Sequence, residues 1–384
     1  MTVSVAPKGG VGQEKRPTRS PRPTADYIPL LTDRSAAETD DRCGMKFWWN
    51  RVAEGGGIVP VAQPEALAVG IAIHDDMALL GEMEDISPTA LQNVVQGHLM
   101  GLTESERLDQ KRMEILYRRL GWFVAWGLFK EPGIRHDWEN VAIEKELILE
   151  RPPLWIQVTP DRLLRNRHNG MIKYMEYKSC LSAGKKWLDS WRYQIQIHTS
   201  LKAVQEELGD KIRYAVVVGL LKGSYSYSDN RLTHPYVWGY YNESTHQWTH
   251  DYDKARGMAW TPMPVWEYPG GLVEWVQKCG SEVAAQQFPT SAPITLDERM
   301  LDQWVRRRIA REQQIALVKD ACLKSSDMRD IYFEARTSQC RPAFGEACPY
   351  VRLCWNAEAQ RNPLGAGDFV KRVPHHDLEA IGVE

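Results

Sequence analysis

The stretch LWIQVTPDRLLRNRHNGMIKYMEYKS, residues 154–179, decides how the rest of the chain is read. An apolar, β-prone run leads into Pro160-Asp161. A polar, turn-rich interval follows, and a second β-prone run carries Glu176, Tyr177 and Lys178. Two strands joined by a short connection bring Asp161 beside Glu176 and Lys178. Side chains alternate faces along a strand, so Glu176 and Lys178 point one way and Tyr177 the other. Two carboxylates and a lysine converging on one sheet face have the composition of a hydrolytic metal site. Hydrolysing a phosphodiester needs an activated water and stabilisation of extra phosphate charge, and Mg²⁺ or Mn²⁺, hard ions that prefer carboxylate oxygen, supply both. Asp161 and Glu176 are the expected ligands, with the Tyr177 carbonyl as a backbone ligand. A lysine acting as base needs a depressed pKa, which neighbouring carboxylates oppose. Lys178 is therefore expected to position the attacking water and offset developing charge. The competing explanation is a surface hairpin with an ordinary ion pair, since Asp followed fifteen residues later by Glu-x-Lys often arises by chance. The flanking apolar runs favour the site, because they place these polar groups at the ends of buried strands.

The chain of 384 residues is long enough for one large domain or two ordinary ones. Its hydrophobic and charged fractions, 43% and 26%, are those of a soluble globular protein. No run of about 18 apolar residues predicts a membrane span, and the N-terminus lacks the apolar core of a secretory signal. A cytoplasmic location with no membrane partner is the expectation. A formal net charge of −2 gives no overall basic field, although local basic patches can coexist with a neutral total.

Residues 1–25, rich in Pro, Gly, Ser, Thr, Lys and Arg, read as a disordered, mildly basic tail. Residues 26–290 are expected to form the core domain, and residues 291–384 a helical, cysteine-rich region. Within the core, residues 41–49 read as a short helix with an aromatic face. Residues 66–84 read as a helix with Ala68, Ile71, Met77 and Leu80 among its apolar positions. Gly70 and His74, four apart, share one face of it. Thr103 to Glu106 fits a capping box for a helix ending with Arg118-Arg119 before Gly121. Residues 122–128 and 141–149 are β-prone; Glu144 and Glu146 on the latter are secondary candidates for supporting the site. Residues 183–209 read as one helix and residues 214–221 as a buried strand. Residues 235–241 and 247–252 suggest a hairpin, residues 271–287 a helix, and a capping box at Thr295–Glu298 a long helix to Lys324. The arginines 306–308 on that helix suggest a solvated face.

Three separate segments carry a family resemblance. Pro160-Asp161 with Glu176-Tyr177-Lys178 resembles the signature of the PD-(D/E)xK nuclease superfamily. Ala68-Val69-Gly70-Ile71-Ala72-Ile73-His74 looks like the G-x-x-x-H segment of its RecB-like branch, whose histidine approaches the metal from a helix. Tyr193-Gln194-Ile195-Gln196-Ile197-His198 is similar to that branch's Q-x-x-x-Y motif, with His198 at the tyrosine position. The resemblance implies an α/β, restriction-endonuclease-like fold, a mixed central sheet flanked by helices. It adds His74 to the metal ligands, gives Gln194 a part in positioning the active site or the DNA, and leaves His198 as a contact to DNA phosphate. Each motif alone has an ordinary explanation; their order across residues 70–198 carries the inference.

Near the C-terminus, Cys340, Cys348 and Cys354 spell C-x7-C-x5-C, close enough to share one metal centre. A closed four-coordinate site needs a fourth thiolate. Cys43, just before the Lys46–Trp49 aromatic segment, is the first candidate, with Cys322 and Cys279 as alternatives; Cys180 reads as a core thiol. One distant N-terminal cysteine plus three near the C-terminus resembles the iron–sulfur subset of RecB-like nucleases, which includes AddB-type helicase–nucleases and CRISPR-associated nucleases. The resemblance implies a 4Fe–4S cluster that closes the C-terminal region onto the N-terminal segment. Zn²⁺ is the chemical alternative, since four thiolates suit either centre.

Lys185 and Lys186, between the lysine strand and the Gln194 helix, are placed to meet DNA phosphate. The chain has 15 tryptophans, and their helical spacing makes core packing the expected role of most, stacking on unpaired bases that of few. The functional expectation is a Mg²⁺- or Mn²⁺-dependent deoxyribonuclease, an exonuclease on ends or single strands, working in recombination, repair or phage DNA processing with a helicase or recombination partner. The rivals are a non-catalytic DNA-binding or assembly protein that kept the fold, and a zinc-stapled protein of another function.

Overall fold

The computed structural model describes residues 30–61, 65–180, 183–209, 212–221, 234–255, 260–340, 347–365 and 367–373. The expected 1–25 tail lies outside them. The segment 138–166 is one long hairpin bent in the middle. Its outer half pairs β4 (Leu147–Arg151) with β5 (Leu154–Val158) across Pro152-Pro153, and its inner half pairs β3 (Trp138–Ile143) with β6 (Arg162–Asn166). Both arms break at the same level. Glu144 adopts a left-handed φ of 46°, a conformation costly for a side chain other than glycine. Pro160, which has no N–H to donate, interrupts the other arm. The Glu144 N–H still donates to the Asp161 carbonyl at 3.0 Å, so the break is bridged. Beyond it the two halves join different sheets.

The outer half, with β1 (Leu30–Asp33) parallel to β5, gives the order β1-β5-β4. The inner half continues into β7 (Ile172–Cys180), antiparallel to β6, and β7 pairs in parallel with β8 (Ile212–Leu221), giving β3-β6-β7-β8. The parallel crossover runs through the Ile195–Leu208 helix. Alternation along β8 explains the layering. Ala215 and Val217 join a core with Ile172, Tyr174 and the Ile195–Leu208 helix. Val216, Val218 and Leu220 join a second core with Met175, Tyr177 and the helices Gln110–Phe129 and Gly271–Gln287. Helices thus cover both faces of the sheet, which is why β8 reads as a continuous apolar run. The hairpin predicted near residue 240 is present as β9 (Trp238–Asn242) and β10 (Gln247–Thr249), with β11 (Trp260–Pro264) completing the order β10-β9-β11.

Several expectations need correction. The Thr103 capping box is formed, but its helix stops at Leu108 and a second helix, Gln110–Phe129, runs through the segment expected as a strand. Trp122, Phe123, Val124 and Ala125 are buried all round that helix, and a helix buried on every side loses its periodicity. Gly121 does not stop it. A Cβ there would lie 2.3 Å from the Tyr236 Cβ, so the glycine permits close packing. The 183–209 helix is three pieces: Lys185–Ser190, a 3₁₀ turn Trp191–Tyr193, and Ile195–Leu208. The long C-terminal helix spans Glu298–Lys324 and is capped by Asp297, whose carboxylate accepts from the Met300 N–H. On the Glu65–Glu82 helix Ala68 and Ile71 are exposed, while Val69, Ile73, Met77 and Leu80 form the buried stripe.

A third core joins the first described segment to the last. Phe47, Trp48, Trp49, Val52 and Ile58 pack with Ile315, Phe333, Tyr350, Leu353 and Phe369. There β2 (Ile58–Pro60) pairs antiparallel with β12 (Phe369–Lys371), and the Tyr350 hydroxyl donates to the Ile58 carbonyl at 2.9 Å. Arg308, expected on a solvated face, is instead buried, paired with Asp40 at 2.9 Å and with Glu312.

Candidate metal centre

The bend of the hairpin, the edge of β7 and one helix assemble the site. Asp161 follows the Pro160 break, Glu144 occupies the facing break, and His74 comes from the Glu65–Glu82 helix. His74 Nδ1 lies 3.2 Å from Asp161 Oδ1 and 3.6 Å from Glu144 Oε1. One ligand atom from each of the three lies within 4.8 Å of the others. The second Asp161 oxygen accepts the Tyr177 N–H at 2.6 Å, which fixes the carboxylate against β7. The Tyr177 backbone therefore meets the site as a donor to Asp161. Its ring faces the opposite core, edge-on to Trp126 at 5.5 Å, as strand alternation requires.

Glu176 and Lys178 share the other face of β7. Their side chains form an ion pair, and the Gln196 amide donates to the same Glu176 oxygen. Glu176 is fully buried and Lys178 retains 22% of its side-chain exposure, so the ammonium lies at the mouth. Lys178 also acts electrostatically on Asp161 and His74. It thus links the buried Glu176 to the His74–Glu144–Asp161 group.

Electrostatics show how the group treats positive charge. Burial alone would lower the His74 pKa, but the Asp161 charge and hydrogen bond, aided by Glu144, raise it to about 10. Asp161 feels the reciprocal effect: burial pushes it up, and His74, Lys178 and the Tyr177 N–H outweigh that and hold it low. Two carboxylates facing inward recruit positive charge. The donor set of one imidazole and carboxylate oxygens suits a hard divalent ion.

A buried network holds the three ligand-bearing elements together. Glu131, fully buried, receives two hydrogen bonds from Arg162 at 2.7 and 2.6 Å and one from the Trp126 indole at 3.1 Å. Arg162, next to Asp161, also donates to Asn140 on β3 at 2.7 Å, and Asn140 donates to the Gly81 carbonyl of the His74 helix at 2.7 Å. Arg135, paired with Glu131 at 3.0 Å, donates to the Leu80 carbonyl of that helix at 2.8 Å.

The remaining expected residues are placed differently. Gln194, expected to position the active site or the DNA, is exposed at the start of the Ile195–Leu208 helix, and it is Gln196, two residues on, that donates to Glu176. Residues 196–201 of that helix are all buried, so no periodicity in the sequence singles out Gln196. His198 does not face solvent. Its Nε2–H donates to the Arg192 carbonyl at 2.8 Å and its Nδ1 accepts the Asp297 N–H at 3.0 Å. Both ring nitrogens are used, and burial closes the ring off from a phosphate. Glu146 is exposed and outside the group, whereas Glu144, only a secondary expectation, belongs to it. Lys185 is exposed and paired with Asp189; with Lys186, Ser190 and Tyr193 it lines an open recess.

The cysteines converge from both ends of the chain. Cys43, Cys348 and Cys354 belong to the third core, and the Cys348 N–H donates to the Cys340 carbonyl at 3.0 Å. Burial, then the neighbouring Cys348, Cys43 and Cys340, raises the Cys354 thiol to about 12. Cys43 and Cys340 act on Cys348 in the same sense. Cys279 lies in the core beside the central sheet, and Cys322, though in the third core, is not among the thiols acting on Cys348 and Cys354. No family model matches the chain, and no characterised protein matches it significantly.

Proposed function

We propose that the chain is a metal-dependent DNA nuclease with a RecB-like PD-(D/E)xK core of restriction-endonuclease type. The observation that carries the reading is the convergence of His74, Glu144 and Asp161 beside the Glu176–Lys178 pair. A mixed sheet with helices on both faces supports it, as does a long hairpin bent where Asp161 sits. Mg²⁺ or Mn²⁺, when bound, supplies a polarised phosphate oxygen and a water acidic enough to attack at neutral pH. His74, Glu144 and Asp161 would hold the ion, with Glu176 beside them. Lys178 orients the attacking water and offsets charge developing on the phosphate. Gln196 fixes Glu176 so that Lys178 has a defined position. Arg162 and Glu131 hold the bend, keeping Asp161 and Glu144 facing each other.

The four thiols of Cys43, Cys340, Cys348 and Cys354 would hold a second centre. Burial, and after it the neighbouring thiols, raises Cys354, and a polynuclear iron–sulfur cluster offsets four thiolates. The role is structural, joining the two ends of the third core.

Degradation of end-labelled single- and double-stranded DNA with Mn²⁺ or Mg²⁺ tests the reading. Activity should appear with either ion, vanish with a chelator, and fall by at least about 100-fold, on the order of 3 kcal/mol of transition-state stabilisation, in Asp161→Asn and in Lys178→Ala. Activity surviving both substitutions sinks the site.

A further inference from the structure

The turn Trp191–Tyr193 stands between two parts of the site. Lys178 Nζ lies 5.9 Å from the Trp191 ring centroid, and Gln196, three residues after Tyr193, reaches Glu176. Trp191 is itself held edge-on by Trp187 at 5.5 Å. His198, which the metal site does not use, takes the Arg192 carbonyl and so anchors the turn from below. The Asp297 N–H fixes the other side of the same imidazole.

What this rigid turn presents is unusual for the molecule. The Tyr193 ring is 70% exposed; among the described residues only Trp355 is a comparably exposed aromatic. Tyr193 lines an open recess with Lys185, Lys186, Asp189 and Ser190. Asp189 pairs with Lys185 and also feels Arg192, Lys186 lines the same recess as the ring, and Arg192, next to Tyr193 in the chain, is exposed. An exposed flat aromatic face beside cations matches how proteins take up unpaired bases and their flanking phosphates. Bases inside a duplex already stack on their neighbours and have no free π-face to offer.

We infer that Tyr193 is a stacking platform for one unpaired base of a single-stranded nucleic acid, with Lys186 and Arg192 meeting the adjoining phosphates. This deepens the nuclease reading and rests on it for the direction of the strand, which leads past Trp191 to Lys178. His198 is a positioning residue for the platform.

Fluorescence anisotropy with labelled oligothymidylate and oligouridylate, in an Asp161→Ala background that prevents cleavage, tests the inference. Tyr193→Ala should weaken binding of one or both strands roughly 5- to 150-fold, the range found when one stacked aromatic is removed. Tyr193→Phe should restore it, and an abasic strand of equal length should bind both forms alike. Tyr193→Ala binding every strand as tightly as its parent overturns the inference, as does an equal loss on the abasic strand. The two proposals fail separately. Metal-dependent hydrolysis without any Tyr193 effect on binding removes the platform alone. Tyrosine-dependent binding by a wild-type chain that hydrolyses nothing removes the nuclease and leaves the platform.

Discussion

Glu131 shows how much of the site depends on residues that never reach it. Its carboxylate is surrounded by Arg162, Arg135 and the Trp126 indole. Burial pushes its pKa up, but these donors outweigh burial and hold it below the ordinary 4.5. A carboxylate that binds its proton less readily when folded contributes stability above its unfolded pKa and loses it as pH falls through the folded value. The urea midpoint of the wild-type chain should therefore decline on acidification below the ordinary carboxylate range. Glu131→Gln leaves Arg162 buried without its charge partner, which costs about 3–5 kcal/mol, and the same titration should show a shallower acid limb. Mn²⁺ affinity measured by calorimetry on the folded variant should also fall, roughly 10- to 100-fold, as for other outer-shell partners of metal ligands. No local signal in Lys130-Glu131-Pro132 marks this residue, because its meaning lies in a partner thirty-one positions away. Asp161, Glu176 and Lys178 were legible for the opposite reason: a short hairpin makes sequence neighbours into spatial ones. Gln194 and Gln196 differ by two residues, and only knowing that the helix begins at Ile195 decides which one faces the sheet.

Among the elements, the Gln110–Phe129 helix is the one whose type was hidden. Its second half is a run of large apolar residues, and such a run suits a buried strand as well as a buried helix. The surroundings decide. The helix lies between the central sheet and the Gly271–Gln287 helix, touching apolar groups on all sides. The strand β8 is an equally continuous apolar run, but it is short and rich in β-branched valine, which favours a strand. Two glycines test the packing. Gly121→Ala drives a methyl into Tyr236 and should lower stability by about 1–3 kcal/mol. Gly133→Ala, at an exposed position of the Glu131–Asp137 helix with nothing within 4 Å, should raise it by about 0.5–1 kcal/mol. Thermal melts of the two variants should move in opposite directions.

For the whole molecule, the organising fact is that the first and last described segments share a core. Cys43 is nearly 300 residues from Cys340, and holding them through one centre would remove denatured-state entropy of roughly 5 kcal/mol as an idealised upper value. Protein purified without oxygen should contain iron and absorb in the visible. Cys348→Ser should lower both the iron content and the melting temperature while leaving Asp161 and Lys178 in place. Unchanged iron and melting temperature would remove the proposed cluster, and zinc in stoichiometric amount would replace it. Spacing alone suggested that the three C-terminal cysteines belong together. That Cys43 joins them depends on β2 meeting β12 and on Tyr350 reaching Ile58, contacts that no local pattern encodes.

The third core also sets an order on synthesis. Phe47, Trp48 and Trp49 leave the ribosome nearly 300 residues before Phe333, Tyr350 and Phe369, which cover them. At about 5–20 residues per second, those aromatic side chains wait tens of seconds for their partners. During that interval the nascent chain carries an uncovered aromatic patch. A ribosome stalled short of residue 333 would release a chain whose sheet can form but whose ends stay open. Synthesis through residue 369 is thus a condition for closing this core.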